Sequence, residues 1–101
     1  MPLTTDRHDG CLHEIDPVTK MQHCYLIAPD GERKDLVRPL RLSYVHLKCG
    51  TVTWMADKIA ETYAANPSFY GATYCAGCKD HFPVGADGEF VWDGTSEKVG
   101  T

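Results

Sequence analysis

Residues 74–83 read Y-C-A-G-C-K-D-H-F-P, and the pair Cys75-x2-Cys78 within them decides which fold the chain adopts. Two cysteines at this spacing are typical of a metal-binding turn, of a redox pair or of two small buried residues. A second pair lies upstream in H-L-K-C-G (46–50), where His46 and Cys49 have the same spacing. Together the two pairs supply four ligands, the number that a tetrahedral structural Zn²⁺ needs.

The residues around both pairs favour tight turns. Gly50 directly follows Cys49, and Gly77 lies inside the later pair. Glycine relieves the crowding of such turns, whose N–H groups point at the thiolate sulfur. Three thiolates with one imidazole suit zinc, although the same geometry admits iron. The ligands predicted for a structural Zn²⁺ are His46, Cys49, Cys75 and Cys78.

Other interpretations of the second pair are less consistent with the residues on its C-terminal side. A thioredoxin-type redox pair would begin a helix, whereas K-D-H-F-P (79–83) predicts a strand. The D-H-F-P stretch (80–83) resembles part of the core of HNH nucleases, but that site also needs a later Asn and His, and Asn66 lies upstream. His81 is an alternative to His46 as the fourth ligand. We therefore predict a metal site without enzymatic activity.

One helix is predicted between the two pairs, over residues 53–65. Thr53 is a suitable N-cap, and Asn66-Pro67 ends the segment. This helix explains why 25 residues separate Cys49 from Cys75, more than the roughly 15–20 of the commonest zinc pattern. A β-hairpin is predicted after the second pair, from strands at 81–85 and 89–92.

The N-terminal part predicts a β-meander over residues 11–45, after a loose segment over residues 1–10. Its strands are expected at 11–15, 21–27 and 38–47. Depending on the length of the first loop, either Cys11 faces Cys24 or His13 faces His23. Buried cysteines and surface histidines explain these four residues more simply than a second metal site, which stays an open alternative.

Taken together, the elements predict an α+β fold in a single domain, 1–101. Residues 46–92 resemble the zinc-ribbon group of small metal-stabilised folds, in which two metal-binding turns precede a β-hairpin. The chain departs from that group by the His at its first ligand position, by the inserted helix and by the N-terminal β segment. The resemblance implies a small β-rich domain, but zinc ribbons bind nucleic acid and protein alike.

Composition narrows the choice of partner. The net charge is −4, from 10 Lys and Arg against 14 Asp and Glu, which disfavours nucleic acid as a partner. The five cysteines without a recognisable signal peptide argue against a disulfide framework, and no apolar run approaches the length of a membrane span. We expect a cytoplasmic protein-protein interaction module, such as an accessory or inhibitor protein of the phage or mobile-element kind. The alternative is a nucleic-acid-binding zinc ribbon that uses Arg33, Lys34, Arg38 and Arg41.

Aromatic side chains of the second half are candidates for the contact surface of such a module. They are Phe69, Tyr70, Tyr74, Phe82 and Trp92.

Overall fold

The structure, a computed structural model, describes residues 3–101. These residues contain three small β-sheets, one α-helix and two 3-10 helices. This confirms the α+β class. The strands are Leu3–Thr4 (β1), Tyr25–Leu26 (β2), Ser43–His46 (β3), Val52–Trp54 (β4), Ala72–Cys75 (β5), Asp80–Pro83 (β6) and Phe90–Trp92 (β7). The α-helix is Asp57–Ala65 (α1), and the 3-10 helices are Gly10–His13 and Glu32–Lys34.

The largest sheet has β3 at its centre, paired antiparallel with β4 on one side and with β7 on the other. Because side chains alternate between the faces of a strand, Tyr44 and His46 point inward and are almost fully buried. β5 and β6 form a separate antiparallel hairpin, in which Cys75 lies opposite Asp80. Both sheets and α1 enclose one core, formed by Ile27, Tyr44, Ile59, Tyr63, Cys75, Phe90, Trp92 and Val99.

Helix α1 ends at Ala65, as the Asn66-Pro67 signal predicts, but it begins at Asp57 and not at Thr53. The predicted start is wrong because Thr53 belongs to β4, where it pairs with Tyr44. Ala56 is the N-cap residue and makes no side-chain capping hydrogen bond. Among residues 3–101, no helix has the length and apolar character needed to cross a membrane.

The predicted hairpin between 81–85 and 89–92 is also wrong. Residues 80–83 pair with β5, whereas residues 90–92 pair with β3 in the other sheet. The connection between them crosses from one sheet to the other through a tight turn at Gly88, where a Cβ would lie 2.6 Å from the backbone of Val84. Two strands adjacent in sequence therefore belong to different sheets.

The predicted N-terminal β-meander is replaced by shorter elements. Pairing between 11–15 and 21–27 is reduced to a single bridge, Ile15 with Gln22. Strand β2 pairs instead in parallel with β1, so part of the segment predicted to be loose is a strand; residues 1–2 lie outside the described range. Of the strand predicted at 38–47, only Ser43–His46 forms.

Cys11 and Cys24 form a disulfide, with their Cα atoms 5.4 Å apart, so the prediction of no disulfide is wrong at this pair. The register that brings them together is neither of the two considered, because His23 N donates to Glu14 O at 2.8 Å. The 3-10 helix turns Cys11 back towards Cys24, and Asp9 caps that helix by accepting a hydrogen bond from Cys11 N. His23 faces Glu14, at 3.2 Å, rather than His13.

Candidate metal centre

The four residues predicted as zinc ligands come together at one point, and their ligand atoms all lie within 4.8 Å of one another. Nδ1 of His46 is 3.3 Å from Sγ of Cys49 and 3.5 Å from Sγ of Cys78. The sulfurs of Cys49 and Cys75 are 3.4 Å apart. A tetrahedral zinc with Zn–S bonds of about 2.3 Å places its ligand atoms about 3.8 Å from one another. This ligand cluster (His46, Cys49, Cys75 and Cys78) therefore has dimensions and donor chemistry that are compatible with a metal site.

Two turns, each closed by a hydrogen bond between residues four positions apart, hold the ligand cluster. His46 is the last residue of β3 and Cys75 the last residue of β5, so each begins the turn to the next strand. Gly50 N donates to His46 O at 2.7 Å, and Lys79 N donates to Cys75 O at 2.8 Å. Gly50 and Lys79 both have left-handed backbone angles, with φ of 74° and 53°. Each turn thus presents its two ligands on the same side.

The two turns also touch each other directly. A Cβ on Gly77 would clash with the side chain of Thr51, which lies in the opposite turn. The N–H of Ala76 donates to Thr53 Oγ1 at 3.1 Å, adding a polar contact between β4 and the second turn. The glycine inside the C-A-G-C stretch is therefore required for the close approach of the two turns.

His46 is held rigidly on all sides. Its side chain is 1% exposed, and its ring stacks between Phe82 and Phe90, at centroid distances of 4.5 and 4.8 Å. Nε2 is 2.9 Å from Oε1 of Glu89, and this hydrogen bond lowers the pKa of the Glu89 carboxyl. With its proton on Nε2, the imidazole directs the Nδ1 lone pair towards the three sulfurs, an arrangement common to metal-binding histidines.

The thiols of Cys49 and Cys78 differ in how readily they ionise. The Thr51 hydroxyl and backbone N–H lower the pKa of Cys49 to about 6. Desolvation, together with the neighbouring thiols of Cys49 and Cys75, raises the pKa of Cys78 to about 11. The Cys49 thiolate forms readily, and its charge opposes ionisation of Cys78. A divalent cation bound among the sulfurs removes that opposition and stabilises all three thiolates.

The alternatives to this ligand set are not brought together. His81 lies on β6, where its Nε2 is hydrogen-bonded to the hydroxyl of Tyr25 at 3.0 Å, outside the ligand cluster. Cys75 and Cys78 flank a turn between two strands, rather than the start of a helix as a thioredoxin-type pair requires.

The N-terminal residues form a group of ligand types that also lie close together, Asp9, Cys11 and Cys24. Because the two sulfurs are bonded to each other, neither is a thiolate that can hold a metal. His13 and His23 are not members of this group.

Glu89, Phe82 and Phe90 are the residues around the site that sequence reasoning missed. Glu89 is 43 positions from His46, and it reaches the histidine because β7 pairs with β3, with Phe90 opposite His46. No local spacing signals such a contact.

Comparison with protein-family models, with curated proteins and with solved structures found no match to this chain. The interpretation of the ligand cluster therefore depends on its own geometry.

Proposed function

We propose that this chain is a small non-catalytic protein, stabilised by one structural Zn²⁺, that acts by binding another protein. The observation that carries the metal assignment is the four-membered ligand cluster, with four side-chain donors at tetrahedral distances. Four protein ligands fill the coordination sphere of zinc, which leaves no position for a substrate or a reactive water. The matching turns that carry the ligands support the zinc-ribbon-like interpretation.

The position of the cluster explains what the metal would contribute. One turn belongs to the β4-β3-β7 sheet and the other to the β5-β6 sheet, and no strand pairing joins these two sheets within residues 3–101. Structural zinc contributes on the order of 10 kcal/mol to small domains, which is comparable to the whole net stability of about 5–15 kcal/mol of a typical domain. The metal would thus fasten two sheets that no strand pairing joins in the described part of the chain.

Purified protein is expected to contain about one zinc per chain, measured by elemental analysis. A variant with both Cys11 and Cys24 replaced by alanine should keep that zinc, because neither sulfur belongs to the ligand cluster. Iron in place of zinc would change only the identity of the metal. A folded parent protein without bound metal would contradict the assignment.

Exposed apolar groups lie on and beside the β4-β3-β7 sheet, which supports a protein partner. Trp54 is 68% exposed, and Leu47 and Val52 are 53% and 41% exposed. Val52 lies beside Val45 in the sheet, and Val45 lies beside Val91. The side chains of these three valines therefore share the outer face of the β4-β3-β7 sheet. Of the aromatic candidates for the contact surface, two are buried, Tyr74 and Trp92, and three are half-buried, Phe69, Tyr70 and Phe82.

Two of the four cations of the basic stretch are already paired within the protein, which makes the nucleic-acid alternative weaker. The Arg33 side chain is 7% exposed and is paired with Asp30 and Glu61. Arg41 is paired with Glu97 at 3.1 Å and stacks on the ring of Trp92. Cations engaged in this way are not free to replace the counterions of phosphates.

We therefore expect no salt-sensitive affinity for single- or double-stranded nucleic acid at physiological salt, measured by fluorescence anisotropy with labelled oligonucleotides. The double variant Arg38→Glu, Arg41→Glu should give the same background signal as the parent. An affinity of the parent that falls steeply with salt and disappears in this variant would replace the proposal with the nucleic-acid-binding alternative.

A further inference from the structure

A cleft of about 50 Å³ lies where β4 comes close to β5. One wall is formed by Thr53, Trp54 and Met55, and the other by Ala72, Thr73 and Tyr74. The residues that line the cleft all lie within the described range, and none of them carries a charge. An ion or a charged side chain would lose its hydration there without gaining a partner of opposite charge, so the cleft selects an uncharged occupant.

The size of the cleft limits the occupant further. An engineered cavity of about 150 Å³ takes up one benzene molecule, so a cleft of about 50 Å³ admits the end of one side chain and not a cofactor or a nucleotide. The mouth of the cleft is bordered by Trp54, the most exposed aromatic side chain among residues 3–101. An indole at this position offers a large rigid contact area to whatever enters.

One of the residues that line the cleft has a buried hydroxyl without a hydrogen-bond partner among the described residues. Tyr63 lines the cleft and is 3% exposed, and its hydroxyl has no hydrogen-bond partner within residues 3–101. Tyr44, which also lines the cleft, instead donates its hydroxyl to Tyr74 O at 2.5 Å. A buried hydroxyl without a partner is costly, so an occupant with a neutral hydrogen-bonding atom near its tip would be favoured.

Strand β4 has a free edge beside the cleft. Met55 N donates to Leu42 O, and Thr51 O accepts from His46 N, so alternate residues of this strand bond to β3. The N–H and C=O groups of Val52 and Trp54 point to the other edge, where no strand within the described residues pairs with them. An extended segment can add to such an edge through its backbone and place alternate side chains in adjacent pockets.

We propose that this cleft and the edge of β4 bind an extended segment of a partner protein, which inserts one uncharged side chain between β4 and β5. The inference rests on the proposed protein-binding function and specifies its surface and the chemistry of its partner. The uncharged lining requires an uncharged side chain, and the volume of the cleft admits only one such side chain. The free strand edge orients the segment.

A library of random peptides displayed on phage, selected against the zinc-loaded protein, tests the proposal. Enriched peptides are expected to share one uncharged, mainly apolar position within an extended stretch. Their affinity, measured with synthetic peptides by fluorescence anisotropy, should fall at least tenfold in Ala72→Trp, which fills the cleft from an exposed position. It should fall similarly in Trp54→Ala, which removes the side chain at the mouth.

The matched control is Ala86→Trp, which adds the same side chain at an exposed position outside the cleft and should leave the affinity unchanged. Metal content and melting temperature are compared for all variants and identify any that fails to fold. If Ala72→Trp fails to fold, the affinity of Trp54→Ala decides the test. Failure to enrich any peptide, enrichment of a charged anchor, or equal binding to Ala72→Trp would overturn the proposal. Sedimentation velocity provides a further test. Self-association of the parent that is abolished in Ala72→Trp would also overturn the proposal, because the occupant would then be a second copy.

These outcomes can be told apart from a failure of the proposed function. Peptides that bind the parent and both cleft variants equally would keep a protein-binding role and remove only this site. A protein without zinc, or with salt-sensitive affinity for nucleic acid, would instead overturn the proposed function itself.

Discussion

Replacing Cys49 with serine is expected to remove the bound zinc and to lower the melting temperature by more than about 10 °C. Serine has a similar size, and the Cys49 side chain is exposed, so lost packing contributes little. The effect comes from the metal, because zinc binding and folding are coupled in small domains. Each 1 kcal/mol lost shifts the midpoint by about 4–8 °C in a domain of this size. Thermal melts with and without a chelator measure it.

A graded comparison is provided by Glu89→Gln, which keeps all four ligands but weakens the hydrogen bond that orients His46. Changes to such supporting residues typically reduce metal affinity about 10–100-fold, so this variant should release zinc to a chelator at lower concentration than the parent. Chelator should lower the melting temperature of the parent but leave Cys49→Ser unchanged. A Cys49→Ser protein that melts like the parent would show that the ligand assignment is wrong.

Loss of the Cys11–Cys24 disulfide is expected to lower the free energy of unfolding by about 3 kcal/mol, the value for a closed loop of roughly 15 residues. The separation of the two cysteines is 13 positions. The double variant Cys11→Ala, Cys24→Ala is preferred to serine, because Cys24 is 2% exposed and a buried hydroxyl would add its own cost. Urea unfolding of the zinc-loaded proteins measures the difference.

The control for this second result is the parent under a reductant that does not bind zinc, which should unfold at nearly the same urea concentration as the double variant. Zinc content should be equal in both. If the variant unfolds like the oxidised parent, the disulfide contributes no stability and the N-terminal segment is held by its other contacts alone. Loss of zinc in the variant would contradict the separation of the two cysteine groups.

The ligand cluster could be foreseen because it depends on local signals. Each pair of ligands needs only a tight turn between two strands, and the glycines at Gly50 and Gly77 mark both turns. Spacing could not indicate how the turns face each other. That depends on the close approach of Gly77 to Thr51 and on the pairing of β7 with β3, both of which join residues far apart in sequence.

The errors in secondary structure share one physical cause. Thr53 has the chemistry of an N-cap, but Val52 and Trp54 beside it favour a strand, and pairing with Tyr44 outweighs the cap. Residues 81–85 and 89–92 have the local pattern of a hairpin, yet each finds a better partner elsewhere in the chain. The end of α1 at Ala65 was predictable because Asn66-Pro67 stops a helix whatever surrounds it.

The absence of strand pairing between the two main sheets within residues 3–101 has a thermodynamic consequence. The ligand cluster joins the turn before β4 to the turn after β5, and the cleft lies between these same two strands. Binding of zinc and binding of a segment would both hold the two sheets at one spacing. Each event therefore favours the other, and such coupling is reciprocal. If zinc strengthens the binding of a segment by some factor, the bound segment must strengthen the binding of zinc by the same factor. The protein would then release its metal most readily when its partner is absent.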